Sequence, residues 1–325
     1  STTQVNTTAV GYRTARNSSG ANFTAIGAQA FYTGNTGNNN VGVGVNAAYA
    51  NTSGANLTGL GTEALRFNTT GSNNTALGYR TLYSNTTASN NTAVGYQSLL
   101  ANTTGQNNTS LGYQALTANV GGGRSVAVGS QALAALEDGS ENVAVGQQAM
   151  KTETSGQRSV AVGFYALAVQ NNTGAGTNAY NTAVGALAGQ AVTTATQNTL
   201  IGGLAGDALT TGDNSTAIGF QALSTATTAV DNVAIGSGAG FAITTGSNNT
   251  AIGTAALDAN TTASNNTAVG FSALTSNTTA SSSTALGYAA GYYSTGERNT
   301  FIGEGCGFNV TTGTRNTFIG QDSGV

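Results

Sequence analysis

The chain has no histidine, no proline and no tryptophan in 325 residues, a single cysteine, and charged side chains at 6% of its positions. Without histidine there is no general base poised near neutral pH, no proton shuttle and no imidazole ligand, which removes most zinc and triad chemistry. The lone Cys306 has no intrachain disulfide partner, and as a nucleophile it would need a partner base. It falls three residues after Gly303, where other copies of the repeat described below carry Ala or Ser, and so reads as a small buried residue. Nine basic against twelve acidic residues, for a net charge of −3, leave no basic stripe for nucleic acid. No apolar run approaches the length of a membrane-crossing helix, and no signal peptide is visible. Missing proline fits a chain in which almost every turn donates to a neighbour, because proline removes that donor.

Carboxylates are equally uninformative as chemistry. None recurs in pairs at a fixed repeat position, so repeated calcium sites are not expected, and no cofactor or metal is. Glu137, Asp138 and Glu141 form the one acidic cluster; a glycan hydrolase would need two such groups facing across a groove, and a solvated turn accounts for them better. The expectation is a protein that is not an enzyme. Glu63 near Arg66, and Glu297 beside Arg298, are expected at exposed turns.

What is present is a repeat. NTAVGYQSL at 91–99 returns as NTSLGYQAL at 108–116, and the phrase recurs around nineteen anchor glycines from Gly11 to Gly320. Fifteen of the eighteen intervals are 17 residues, two are 16, and one, Gly163 to Gly185, is 22. A fixed short period over the whole chain means stacked supersecondary units, and it overrules the two domains that length alone suggests. Residues 1–325 are therefore read as a single repeat domain, interrupted by a five-residue insertion within 168–181.

Each copy reads as a short strand, a glycine corner, a second extended piece and a polar turn. The residue before the anchor glycine is aliphatic in all nineteen copies, and the residue three before it is Thr or Val. Alternation puts these two on one face of a strand, where branched side chains pack well. Between them stands Ala or Gly in nearly every copy, so the other face is almost bare. The aliphatic row, with Val94, Leu111, Val128, Val145 and Val162 beside Thr92, Thr109, Val126, Val143 and Val160, is expected to be the buried interior. Turns such as Asn102-Thr103-Thr104-Gly105 use residues that bond their own backbone. Asn-x-Thr triplets at Asn85, Asn102 and Asn260 are formal glycan acceptors, but turn building explains them first. No helical periodicity appears, and 47 glycines weigh against helix. The fold class is all-β, a parallel β-roll or β-solenoid of nineteen coils of about 17 residues; at about 4.8 Å per coil the stack would be roughly 90 Å long.

The units NTAVG at 91–95 and NVAIG at 232–236 resemble the head repeat of trimeric autotransporter adhesins, the YadA-like head. The longer NTAVGYQSL form with its NTTG turn is similar to repeat regions of phage and bacterial tail-fibre-domain proteins. The 17-residue period is longer than the usual adhesin head repeat. The resemblance implies a left-handed roll, three chains side by side, and attachment at a cell or virion surface, extracellular and without membrane insertion. From the residues themselves, the bare face at Ala76, Ala93, Ala127, Ala144 and Ala251 either lets a second backbone approach closely or forms the tight interior of a lone coil. Leu200, Phe301 and Phe318 at this place in later copies predict a changed contact there.

Two functions follow as expectations. One is a structural attachment fibre whose partners are further copies of itself and a host-surface glycan or receptor. The alternative is an extracellular filament or surface-layer subunit stacking end to end. The insertion is the candidate ligand loop, because extra residues in a repeat leave the stack as surface loops: Tyr165 and Tyr180 could stack on a sugar ring, and Asn171, Asn172 and Asn178 could supply amides. Removing residues 171–175 would restore the period.

Overall fold

The computed structural model describes residues 6–174 and 176–325. Val5, where the repeat begins in the sequence, and Ala175, within the insertion, lie outside the described residues. Among the described residues there are nineteen strands of three residues each and no helix. The fold is a parallel β-solenoid. It divides into two compact units, one reaching Arg158 and including Thr173–Thr177, the other comprising Ser159–Asn172 and Asn178–Val325. The first holds β1 (Thr8–Val10) to β9 (Val143–Val145), and the second holds β10 (Val160–Val162) to β19 (Thr317–Ile319).

Within each unit every strand pairs in parallel with the next copy and in repeat register. Between β6 (Thr92–Val94) and β7 (Thr109–Leu111), Thr92 faces Thr109, Ala93 faces Ser110 and Val94 faces Leu111. The turns pair as well: Leu99 N–H donates to Ala115 O at 3.1 Å, Ala101 to Thr117 O at 3.1 Å, and Thr103 to Val120 O at 3.0 Å. A one-residue register slip would therefore break bonds all round the coil as well as in the strand. The corners depend on positive φ at recurring places, such as Asn90 (62°), Gln97 (54°) and Leu99 (50°). A leucine in this region is strained. Stacking maintains it, because each such residue donates its N–H to an adjacent coil.

The interior is the face expected to be bare. Ala93, Ala127 and Ala144 are fully buried, whereas Leu111 is 46% exposed and Val128, Val145 and Val162 are partly exposed. The expected aliphatic ladder is thus the outer face, and the small-residue row is the coil's own interior. Coil width is the reason. Opposite walls approach so closely that one wall can supply bulk and the other cannot: Leu82, Leu99, Leu116 and Leu133, four residues past the anchor glycines, turn inward and fill the space over the alanines. Where the strand carries a larger residue the wall recedes. Leu200 and Phe301 are fully buried. A Cβ at Gly189 would lie 2.7 Å from Leu200 Cδ1, one at Gly206 2.8 Å from Leu200 Cδ2, and one at Gly291 2.6 Å from Phe301. The later bulky residues are therefore compensated inside the coil, in place of the changed contact expected from the sequence.

Asparagines line the rest of the interior. Asn68, Asn85 and Asn102 donate in turn to the preceding coil's amide oxygen, Asn68 to Asn51 at 2.8 Å, Asn85 to Asn68 at 2.6 Å and Asn102 to Asn85 at 3.0 Å. A second column, including Asn91, accepts the next coil's backbone N–H on Oδ1 and donates from Nδ2 to a turn carbonyl, Gly105 O at 2.9 Å for Asn91. These amides satisfy backbone groups that the narrow coil removes from water. Asn85, Asn102 and Asn260 are fully buried, so their triplets build turns and leave no room for a glycan on the amide.

Candidate interaction surfaces

Three outward rows meet on the strand side of each coil: the Thr or Val three before the anchor glycine, the aliphatic residue before it, and the residue after it. Glu304 is the only charged residue in these rows. In the first unit Leu111 (46% exposed) adjoins a column of stacked rings, Tyr79 on Tyr96 and Tyr96 on Tyr113, each pair with centroids 5.4 Å apart. In the second unit Phe271 stacks on Tyr288 at the same spacing, beside the exposed Leu286. Because the rings stack on one another, their edges rather than their faces meet solvent. Large exposed apolar surfaces of this kind mark interaction sites. The sequence places these residues on one face; only the structure shows that the face points outward.

The insertion candidates separate. Tyr165 occupies the second position after Gly163, where other coils carry Gln, and its ring leans on Phe164 with centroids 4.4 Å apart. Asn171 is held in the coil, its backbone N–H donating to Thr193 O at 2.8 Å. Asn172 is 3% exposed and therefore does not present its amide to a ligand. Asn178 and Tyr180 are exposed. The surplus is better placed at 173–177. Deleting 173–177 keeps Asn171 and the buried Asn172, whereas deleting 171–175 would put Gly176 and Thr177 in their places. Removal of 173–177 should change the melting temperature by no more than about 2 °C, since surface loop length costs little; a loss of many degrees would show that these residues are structural.

Charges occur as ladders. Glu63 lies between Arg66 and Arg80, with Arg80 Nε at 2.6 Å, and is buried at 9% exposure in place of the exposed turn expected for it. Arg66 also stands over the rings of Phe67 and Tyr83, at 5.2 and 5.7 Å. Glu297 and Arg298 are exposed, as expected. Glu141 is flanked by Arg124 Nη1 at 2.9 Å and Arg158 Nε at 2.8 Å, while Glu137 and Asp138 are exposed. Hydrogen bonds from Arg158 and then Arg124 hold the Glu141 carboxyl below the usual carboxylate range. A lowered folded-state pKa contributes stability that is present above the ordinary glutamate value of about 4.3 and lost as pH falls below it. Glu141→Gln should therefore melt slightly below wild type at pH 7, and the gap should close below about pH 4. A gap constant with pH would refute this. Cys306 is fully buried, which pushes its thiol pKa up and leaves it unreactive.

Neither a protein-family model nor a curated protein matches the chain.

Proposed function

We propose that the chain is a structural attachment fibre, displayed outside a cell or virion, whose copies associate side by side through the outer face of the strands, where Glu304 is the one charge. That face is the observation supporting the reading. Its aliphatic and ring-edge rows repeat once per coil, so a partner that matches them row for row needs the same repeat, and a second copy of this chain has it. The adhesin-like motif of the sequence suggests three copies. Contact through the outer face replaces contact through the small residues, which lie inside each coil. A host-surface glycan or receptor is the ligand such a fibre would take, with the exposed Tyr180 and Asn178 as one place for it.

Light scattering tests the association. Wild type should show the mass of three chains, and Leu111→Asp, on the outer face, should reduce it towards one chain of 32.0 kDa. The variant's own fold should persist, because Leu111 is partly exposed within the single chain. A wild-type mass of one chain at high protein concentration would refute side-by-side association.

A further inference from the structure

The turn side of the first unit carries a notch at one turn. In residues 120–124, VGGGR, glycines stand where neighbouring coils carry side chains: Gly121 takes the place of Thr70, Thr87 and Thr104, and Gly123 takes the place of Ser72, Ser89 and Ser140. The missing side chains leave a polar notch of about 370 Å³, lined by Gly121, Gly123, Thr104, Gln106, Arg124 and Ser140 among others.

The loss also interrupts a hydrogen-bond series. At this turn a coil's backbone N–H is served by the hydroxyl of the next coil: Ala55 N–H donates to Ser72 Oγ at 3.1 Å, Ser72 to Ser89 Oγ at 3.0 Å, and Gly123 to Ser140 Oγ at 3.0 Å. Gln106 faces Gly123 and has no such acceptor, so among the described residues its N–H is unpaired within the protein. Asn38, facing Ala55, and Ser89, facing Gln106, lack one too, but Gln106 is the one of the three that lines the notch. A Cβ at Gly123 would stand 2.8 Å from Gln106 O and 3.5 Å from that nitrogen. Arg124, on the same notch, uses Nη1 for Glu141 and leaves Nε and Nη2 without a partner among the described residues. At the other end, a Cβ at Gly121 would lie 2.9 Å from Asp138 Oδ1. The notch thus offers donors with positive charge at one end, and the Asp138 carboxylate, outside its lining, stands next to Gly121 at the other.

We propose that this notch binds a sugar acid, a hexuronate residue of a glycan. The sugar carboxylate accepts from Arg124 and the Gln106 N–H, and ring hydroxyls donate to Asp138. A neutral hexose keeps the hydroxyl contacts and loses the charge-assisted ones. The notch belongs to a single chain, so the assignment holds whether or not the copies associate.

Titration of the full chain with sodium glucuronate and, separately, with glucose, followed by NMR shifts or calorimetry, tests it. Glucuronate should bind saturably, and glucose about tenfold more weakly or not at all. Gly123→Ser should abolish binding by filling the notch and capping Gln106, and Gly121→Thr should do so by restoring the neighbours' side chain. Gly121→Thr meets only the movable Asp138 carboxylate and should melt with wild type. Gly123→Ser places its Cβ 2.8 Å from Gln106 O and should melt somewhat lower while still folding. Arg124→Gln should weaken glucuronate about tenfold and leave glucose unchanged. Absence of saturable glucuronate binding, equal affinity for glucose, or unchanged binding in both a folded Gly123→Ser and a folded Gly121→Thr would each overturn the assignment.

Discussion

Gly129→Ala should destabilise the first unit by about 4 kcal/mol, combining a left-handed backbone that alanine resists with an overpacked contact. Gly129 has φ of 132°, and a Cβ there would meet the carbonyl oxygen of Gly146 in the next coil at 2.5 Å. That neighbour is backbone, so relief requires the two coils to part, and parting them breaks the bonds on either side of the corner. The alternative outcome is informative: a variant that melts within a degree or two of wild type would mean that the coils can separate locally without cost. Stacked units share stability with their neighbours. The loss should therefore appear as faster amide exchange spreading from the 126–149 region before it appears as global unfolding.

Ala127→Leu should cost about 3 kcal/mol by overpacking, because Ala127, Leu116 and Leu133 are all fully buried. The cost should be recoverable by copying the coils around Leu200. There the large strand residue is accommodated by Gly189 and Gly206, with Val192 and Leu209 at the places that many other coils give to asparagine. The equivalent positions around Ala127 are Leu116, Leu133, Asn119 and Leu136, and Leu136 is already aliphatic. Leu116→Gly, Leu133→Gly and Asn119→Val added to Ala127→Leu should restore most of the lost melting temperature. The amide of Asn119 is buried without a hydrogen-bond partner in the described residues, so its replacement should not add a penalty. If the fourfold variant melted no higher than Ala127→Leu alone, the paired exchange of strand and wall volume would be wrong.

Ala127→Leu bears on which face of the strand is interior. From the alternation of Val94 with Ala93, either face can point inward, and the larger apolar residue is the natural choice. The choice depends on Leu99, five residues beyond Val94 and past two positive-φ corners. Its inward direction is a property of the closed coil. Alternation identifies two faces, but it does not say which one the rest of the chain will cover. The same limit applies to Asn172 in the insertion, where a polar residue of loop composition lies buried, and to Glu63, which composition alone would leave at the surface.

The repeat determined by itself the fold class, a strand before each of nineteen anchor glycines and their parallel register. It did not determine the three-residue extent of each strand, and the second extended piece expected after each corner is a turn. A fixed 17-residue period leaves every copy the sheet partner of the next. The surplus between Gly163 and Gly185 was also legible, as a broken interval. Tertiary structure alone decided which face is interior, because that is settled by the distance between opposite walls of a coil. It also decided that the asparagines are internal hydrogen-bond columns rather than surface turns, since a narrow coil encloses backbone groups that only a buried amide can pair. The notch at Gly121 and Gly123 needed both: the glycines are plain in the sequence, but that Gln106 and Arg124 border the space they leave is decided by how the coils stack.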